Sequence, residues 1–232
     1  MVINSYSRLC KVTLHRTVRL IALCSLFLTS LAFAEDIQTL DVVEVTEDVE
    51  SMVGTADSAN EGIATEEEVQ ARPYYRIGEL LEVTPGLVVT QHSGEGKANQ
   101  YFLRGVNLDH GTDLRITVDG MLCNEPTNAH GQGYCDLNFM IPELINAIQY
   151  RKGPYYAAYG DFSSVGAIDV SYVDTLKQGI AMATVGFDSY ERGLLADSVK
   201  LGRGNLLGAM EYVHNNGPWT NPADFEKLLI PA

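Results

Sequence analysis

The stretch RIGELLEVTPGLVVTQHSGEGKANQYFLRG, from Arg76 to Gly105, predicts how this part of the chain folds. Its first apolar residues recur at near-helical spacing, with Glu79 and Glu82 on the opposite face. These apolar residues are Ile77, Leu80, Leu81 and Val83. The Thr-Pro-Gly sequence at 84–86 stops the helix, because a residue before proline avoids helical geometry and glycine frees the turn. The stretch therefore begins with a short amphipathic helix that ends in a sharp turn.

Two β-prone runs follow that turn. Residues 87–89 form a buried-strand run, and a second strand is predicted from Tyr101 to Val106, closed by Arg104 and Gly105. The loop between them, QHSGEGKANQ, carries Gly-Glu-Gly-Lys but lacks the spacing of a phosphate-binding loop, and no helix signal follows it. The order is thus helix, strand, Gly-rich loop and strand.

The composition favours an acidic globular protein that leaves the cytoplasm. The chain has 232 residues, and its 46% of apolar residues suit a packed core. Its formal net charge of −14 argues against a nucleic-acid partner. Residues 1–34 are basic, contain an apolar run that ends at Leu31 and finish in Ala-Phe-Ala, as a cleaved signal peptide does. A membrane-spanning helix is the alternative, but the run is too short and too polar.

Cysteine usage predicts a disulfide. Cys10 and Cys24 lie in the predicted signal peptide, which leaves Cys123 and Cys135 as a pair in an oxidising compartment. A bond between them would stabilise the fold by roughly 3 kcal/mol. The alternative is two buried thiols. No CxxC spacing points to zinc, so no metal site is assigned to cysteines.

Further helix and strand signals follow in order. Residues 35–65 are acidic and mobile in this interpretation, Thr65 begins a capping box, and short helices are predicted at 66–71 and 74–83. The run 114–118 alternates as a strand and ends in an Asp-Gly turn, after which 121–134 forms a long polar loop. A short helix with proline in its first turn is predicted at 141–145, strands at 147–151 and 165–172, and a single helical turn at 155–159.

These motifs resemble the plug domain of TonB-dependent outer-membrane receptors. The Thr-Pro-Gly-Leu turn, the Leu-Arg-Gly strand end and the hairpin ITVDGM stand in the family's order. The run INAIQYRKGPYYAAYGDFSSVGAIDV at 145–170 is similar to the family's second signature, with Lys152 and Asp169 as departures. These motifs keep the family's order over residues 66–173, and the resemblance therefore implies that 66–173 is the plug domain.

The resemblance also implies roles for individual residues. A β-prone island before the folded region is similar to the TonB box, the segment that pairs with TonB, although an ordinary short strand is the alternative. It comprises Thr39, Leu40, Asp41, Val42, Val43, Glu44 and Val45. Structural roles in the plug are expected for Arg104, Gly105, Asp119, Gly120, Gly153 and Pro154. Arg104 is expected to satisfy loop carbonyls or a carboxylate such as Asp119.

Residues 174–232 change character. Strand-like segments are predicted at 180–188, 189–201 and 205–214, separated by turns at 188–189 and 202–205, whereas 222–232 is expected to contribute no closing strand. Three strands cannot close a barrel, since the smallest need about eight. The chain is therefore expected to be a fragment or a truncated product of a longer receptor, with an incomplete antiparallel β-barrel after the plug.

Ligand-facing groups are expected in three polar loops. They are His92, Glu95, Lys97, Asp109, His110, Asp113, His130 and Gln132. One histidine falls in each loop, and three imidazoles with an aspartate could bind a transition metal or metal chelate. Separate hydrogen-bonding histidines are the alternative, which the absence of H-x-H or i,i+4 spacing favours. Replacement of all three by Ala in a complete receptor is expected to weaken binding of such a ligand.

The interpretation is an α+β plug with a small mixed sheet of about four strands and short helices, followed by unclosed strands. The function implied by the resemblance is TonB-coupled uptake across the outer membrane of a Gram-negative bacterium, with an iron-siderophore or other metal chelate as first candidate ligand. Partners are TonB with its inner-membrane complex, outer-membrane lipid and the small ligand. No cofactor is expected, and no catalytic motif points to an enzyme. A soluble periplasmic binding module or a non-functional product of a truncated gene are the alternatives.

Overall fold

Strands are the main regular elements of the described chain. The computed structural model describes residues 58–91 and 94–230, so the predicted signal peptide and TonB-box-like stretch lie outside the described residues. In chain order the strands are β1 (Glu61–Thr65), β2 (Leu87–Thr90), β3 (Gln100–Leu103), β4 (Val106–Asn107), β5 (Leu114–Val118), β6 (Met121–Leu122), β7 (Ile145–Lys152), β8 (Gly166–Tyr172), β9 (Ile180–Val185), β10 (Glu191–Leu201), β11 (Gly204–Asn215) and β12 (Phe225–Leu229).

Helical elements are few and short. One α-helix, α1, spans Glu66–Ala71, and the Thr65 hydroxyl accepts a hydrogen bond from Glu68 N at 3.5 Å, as the capping box predicts. Three 3-10 helices span Ile77–Val83, Pro142–Leu144 and Ala157–Tyr159. Within the described ranges, no helix has the length and apolar character needed to cross a membrane.

The strands form three sheets. The central sheet has the order β1-β7-β8-β5-β6, in which β5 and β8 run parallel and every other pair is antiparallel. A small sheet has the order β2-β3-β4, and the last four strands form an antiparallel sheet in the order β12-β11-β10-β9. The predicted α+β fold, with a mixed sheet, few helices and antiparallel strands after it, is confirmed.

One hydrophobic core lies between the central sheet, the small sheet and the short helices. Among its fully buried members, Leu80 and Leu81 come from the first 3-10 helix, Tyr101 from β3, and Ile116 and Ile148 from the central sheet. Each such side chain contributes roughly 1.5–3 kcal/mol relative to remaining exposed. A second cluster joins the two parts of the chain, because Ile141 and Leu144 pack against residues of β10 and β11.

Several predicted boundaries were wrong. Residues 61–65, expected to be mobile, form the edge strand β1, since pairing with β7 satisfies their backbone groups. The central sheet accordingly has five strands instead of four. The helix expected at 74–83 is a 3-10 helix that begins only at Ile77, and Val88 is 52% exposed because burial alternates along β2.

Two further corrections concern turns and the C-terminal part. The strand expected at 101–106 ends at Leu103, where Arg104 (φ 52°) and Gly105 (φ 81°) form a two-residue turn to β4. The segment 222–232, expected to contribute no closing strand, contains β12, which pairs with β11 through residues 225–229, so the C-terminal sheet has four strands where about three were expected. The sequence of β12 is too short to predict a strand by itself, and its pairing with the long neighbouring strand β11 makes it one.

Candidate functional site

Three polar loops meet beside the start of β5. We call them loop A (91–99), loop B (107–113) and loop C (123–136). Loop A joins β2 to β3, loop B leads into β5, and loop C follows β6, whose chain direction returns it to the start of β5. The loops carry all eight residues predicted to face a ligand, so their mutual contacts decide which of these residues act together.

Asn124 joins loop B to loop C. Its side chain is buried; its Oδ1 accepts from Ile116 N at 2.7 Å, and its Nδ2 donates to the carbonyls of Gly111, Leu114 and Gly133 at 2.8, 2.9 and 3.2 Å. A backbone bond from Cys135 N to His110 O, 2.8 Å, adds a second connection. Since unpaired buried polar groups are costly, this network holds the two loops in one arrangement.

His110 and Tyr134 attach loop A to the other two. His110 is buried, and its Nδ1 lies 3.0 Å from both the Ala98 and the Asn99 carbonyl oxygens. The Ala98 backbone N–H donates to the Tyr134 hydroxyl at 2.9 Å. The two rings also contact each other, with centroids 5.2 Å apart. The three loops therefore form one connected surface.

Three of the predicted ligand-facing residues come together. One potential ligand atom from each of Asp109, His110 and His130 lies within 4.8 Å of the other two. His110 Nε2 is 3.7 Å from Asp109 Oδ1, and the two imidazole rings meet edge to face with centroids 4.6 Å apart. We call this group the histidine cluster. Asp109 and His130 are exposed, so the cluster opens to solvent.

The other predicted residues lie elsewhere or cannot be assigned. Asp113 accepts from the Ser164 hydroxyl, so it faces the loop before β8. Glu95 lines a cavity between loop A and the C-terminal strands, and Lys97 and Gln132 are exposed. His92 lies outside the described residues.

The two cysteines of loop C are neighbours but are not bonded. The structure has Cys123 and Cys135 as free thiols, so the predicted disulfide is not formed in it. A hydrogen bond between the two sulfurs lowers the pKa of the Cys123 thiol, whereas the same bond together with burial raises the pKa of Cys135 well above its ordinary value. Contact between two thiols is a precondition for oxidation, so the disulfide itself stays a prediction.

Arg104 does not contact Asp119, contrary to the sequence-based expectation. Its Nη2 donates to the Asn60 side-chain oxygen at 2.6 Å, which joins the β3–β4 turn to the residue before β1. Asp119 and Gly120, with φ of 48° and 79°, form the predicted turn between β5 and β6, and Asp119 Oδ1 accepts from Tyr172 N at 2.9 Å. The two turns stand at different ends of the core, which separates their side chains.

The second signature region is held by its own polar contacts. Gly153 has φ 99°, and a Cβ atom there would lie 2.4 Å from the Tyr155 ring; Pro154 lines a groove with residues of loop B. Lys152, one of the departures from the family pattern, is buried and donates to the Pro85 carbonyl at 3.2 Å. The other departure, Asp169, accepts from the hydroxyls of Thr117 and Tyr159. Both departures are satisfied locally.

A group of charges around the buried Glu211, which was not predicted from the sequence, joins the central part to the C-terminal sheet. Arg192 on β10 donates two hydrogen bonds to Glu143, at 2.6 and 2.7 Å, and its Nε donates to Glu211 on β11 at 2.7 Å. Lys227 on β12 pairs with the second oxygen of Glu211, whose side chain is completely buried. We call Glu143, Arg192, Glu211 and Lys227 the charge cluster. The sequence signal for this cluster was Glu211, a charged residue on the inward face of an alternating strand, because a buried charge is expected to have a partner.

The two faces of the C-terminal sheet differ. The inward face carries Leu194, Ala196 and Ala209 against the second core cluster, and it also carries the charge cluster. The opposite face exposes large apolar side chains over three neighbouring strands. These are Leu195, Val199, Leu201, Leu206, Met210, Tyr212 and Leu228. An apolar face of this kind is typical of a surface that meets a partner or lipid.

Comparison with known proteins agrees with the fold. The family model described as TonB-dependent Receptor Plug Domain matches residues 55–167. The vitamin B12 transporter BtuB of Vibrio vulnificus (strain YJ016) is 26% identical over 185 residues, which cover 79% of this chain and 29% of that protein. The chain thus spans less than a third of the length of this curated relative.

Solved structures share the fold at low sequence identity. A variant of the ferric enterobactin receptor PfeA from Pseudomonas aeruginosa, in complex with enterobactin, superposes with a TM-score of 0.52 at 17% identity, over 69% of this chain and 26% of that one. The copper transporter OprC gives 0.52 at 17% identity, over 70% and 25%. The family match, together with the shared order of sheets, turns and loops, identifies residues 55–167 as a TonB-dependent receptor plug domain.

Proposed function

We propose that this chain is the N-terminal part of a TonB-dependent outer-membrane receptor that takes up a small ligand with energy delivered through TonB. In this proposal residues 1–34 are a cleaved signal peptide, 35–65 contain the TonB-binding segment, 66–173 are the plug and 174–232 begin the barrel. The protein is a gated transporter and performs no chemistry on its ligand.

The observation that carries the proposal is the two-sided C-terminal sheet. Its inward face is joined to the plug by the charge cluster, and its outward face is apolar and exposed. In a soluble periplasmic module such a face would be an aggregation hazard, whereas in a membrane it matches the hydrocarbon. Because open sheet edges are not tolerated in lipid, the proposal requires further strands beyond those of this chain.

The connections of the C-terminal sheet support an orientation. Outer-membrane barrels have short periplasmic turns and longer extracellular loops. The β10–β11 connection has two residues, 202–203, whereas 186–190 and 216–224 are longer. Loop A lies by the longer connections: a Cβ atom at Gly96 would be 3.3 Å from the Phe225 ring, and Glu95 shares a cleft of about 530 Å³ with Phe187. This supports an extracellular position for loops A, B and C.

The ligand proposed is a metal chelate, an iron-siderophore first. The relatives named above are a vitamin B12 transporter, a ferric enterobactin receptor and a copper transporter, so small metal-bearing ligands recur among proteins similar to this one. The polar loop surface, with Glu95, Lys97, Asp109, Asp113 and Gln132 beside the histidines, would supply hydrogen bonds to such a ligand. Barrel loops that this chain does not contain would supply the rest.

TonB engagement is the part of the proposal that can be tested on this chain. An extended segment at Thr39–Val45 would add a strand to TonB, with backbone hydrogen bonds supplying most of the affinity. The full chain in detergent micelles would be titrated with the C-terminal domain of TonB by isothermal titration calorimetry. We expect deletion of 39–46 to abolish binding.

A matched pair of proline variants makes the test specific. Val43→Pro removes one backbone donor inside the segment, and Val53→Pro makes the same change outside it. Val43→Pro is expected to weaken TonB binding at least about tenfold, the equivalent of one or two strand hydrogen bonds, and Val53→Pro to leave it unchanged. Equal binding by the deletion variant and the parent chain would refute the assignment of the segment.

A further inference from the structure

We propose that Asp109, His110 and His130 bind a single divalent transition-metal ion directly, as a site built from the plug's own side chains. This goes beyond the uptake of a chelated ligand proposed above and does not depend on it, since the site needs no TonB and no completed barrel. Within residues 58–91 and 94–230 these three are the only trio of potential metal ligands that converge.

The orientation of His110 is fixed by its backbone contacts. Its Nδ1 faces two carbonyl oxygens, each 3.0 Å away, and carbonyls can only accept hydrogen bonds. Nδ1 therefore donates a hydrogen bond, and in the neutral ring the acceptor lone pair is on Nε2, the nitrogen that faces Asp109. A ring N–H donated to a backbone carbonyl is the usual support of a metal-ligating histidine, because it fixes both tautomer and ring orientation.

The other two ligands are held by their loops. Asp109 has a left-handed backbone, φ 50°, stabilised by a bond from its own N–H to the Asn107 side chain at 2.9 Å and by Tyr101 N donating to its carbonyl, also at 2.9 Å. The backbone N–H of His130 donates to Asn128 Oδ1 at 2.9 Å. Two separate loops thus present three ligands toward one point.

An aromatic wall supports the site on one side. The Tyr134 ring lies with its centroid 5.2 Å from that of His110 and 5.7 Å from that of His130. Its hydroxyl is engaged by Ala98 N, so the ring is fixed in place. Since Asp109 and His130 are exposed, the opposite side stays open for a fourth ligand such as water or a ligand atom of a bound chelate.

The ligand set selects the class of metal. Two imidazoles and one carboxylate suit Zn²⁺, Ni²⁺, Co²⁺ or Cu²⁺, whereas Ca²⁺ and Mg²⁺ prefer oxygen alone and Cu⁺ prefers sulfur. Zinc–ligand distances of about 2.0–2.1 Å place tetrahedral ligand atoms about 3.3 Å apart. The ligand atoms here lie within 4.8 Å, so binding requires a closing movement of the two exposed side chains, Asp109 and His130.

The test measures Zn²⁺ binding by the full, untagged chain after treatment with a chelator. Isothermal titration calorimetry of the parent chain is expected to show one ion per chain. His130→Ala and the isosteric Asp109→Asn are each expected to weaken Zn²⁺ affinity at least about tenfold, the minimum seen even for loss of supporting residues around a metal. Both changes are at exposed positions, so folding is expected to persist and is checked by circular dichroism.

The matched control is His214→Ala, which removes an imidazole from β11 outside the histidine cluster. It is expected to leave Zn²⁺ affinity unchanged. Substitution with Co²⁺ supplies a second readout, because ligation by Cys123 or Cys135 would give a thiolate charge-transfer band that imidazole and carboxylate ligands do not produce. Zn²⁺ binding that is absent, that is unaffected by both cluster variants, or that shows the thiolate band would overturn the proposal.

Discussion

Arg192→Met is expected to destabilise the chain more than any surface substitution, because it removes the centre of the charge cluster. The guanidinium makes two hydrogen bonds to Glu143 and bonds the completely buried Glu211 through Nε and Nη2, at 2.7 and 2.6 Å. Its own side chain is only 10% exposed. Methionine keeps most of the volume, so the loss is mainly electrostatic.

The magnitude follows from what remains. Removal of one partner of a buried ion pair costs about 3–5 kcal/mol, because the other charge is left without compensation. Glu211 keeps Lys227, and Glu143 is 19% exposed and can gain water. We therefore expect the lower end of the range, about 3 kcal/mol. Arg203→Met, at an exposed arginine in the β10–β11 turn, is the control and is expected to stay within about 0.5 kcal/mol.

Guanidinium unfolding of the chain in micelles measures the free energy, and hydrogen exchange with mass spectrometry locates the opening. Faster exchange is expected at 141–145 and 191–197, with the central sheet still protected. The double variant Arg192→Met/Glu143→Gln measures how much of the loss in unfolding free energy comes from the charge left unpaired on Glu143. Its loss is expected to be smaller than the sum for the two single variants, because residue 143 then carries no charge. An Arg192→Met cost below about 1 kcal/mol would refute a structural role for the cluster.

Three further predictions concern the plug. Burial raises the pKa of Tyr74 and Tyr172 to about 12, whereas in the unfolded state both phenols keep the ordinary pKa of about 10. Their contribution to the free energy of unfolding is therefore fully present below pH 10 and is lost as the pH rises toward 12. An unfolding midpoint that stays constant from pH 9 to 12 would contradict this. Because its pKa is lowered, the Cys123 thiol is expected to react with iodoacetamide well before Cys135, and mild oxidation is expected to join the two cysteines in a disulfide. Mass spectrometry of peptides distinguishes the alkylated from the oxidised product. Equal alkylation rates of the two thiols would count against the assigned sulfur contact. Asn124→Ala is expected to cost about 2–4 kcal/mol, because it leaves several buried backbone groups without partners, and to speed exchange in loops B and C. Asn205→Ala, at an exposed amide on β11 outside these loops, serves as control.

Local signals in the sequence were sufficient where turn chemistry and short-range patterns act alone. The Asp119-Gly120 turn, the capping box at Thr65 and the strand at 114–118 follow from residue types within a few positions. The same signals misplaced the end of β3. Arg104 begins a two-residue turn in the left-handed backbone region, which a residue other than glycine seldom adopts.

Non-local pairing explains what the sequence did not predict. The residues of β1 have no pattern that separates them from the acidic segment before them, and only β7, about 85 residues later, makes them a strand. The convergence of Asp109 and His130 likewise depends on Asn124, a single buried amide in a polar loop, and burial of an amide is not readable from local composition.

The position of β8 in the central sheet fixes the order in which this domain can fold. It lies between β7 and β5, so the last strand of the sheet to be synthesised is the one that joins the two halves. Until residues 166–172 are present, β5 has only its short hairpin with β6, and β1 and β7 pair without a neighbour. Such long-range closure makes folding slow and late. Late completion of the sheet suits a protein proposed to cross one membrane before it folds at another.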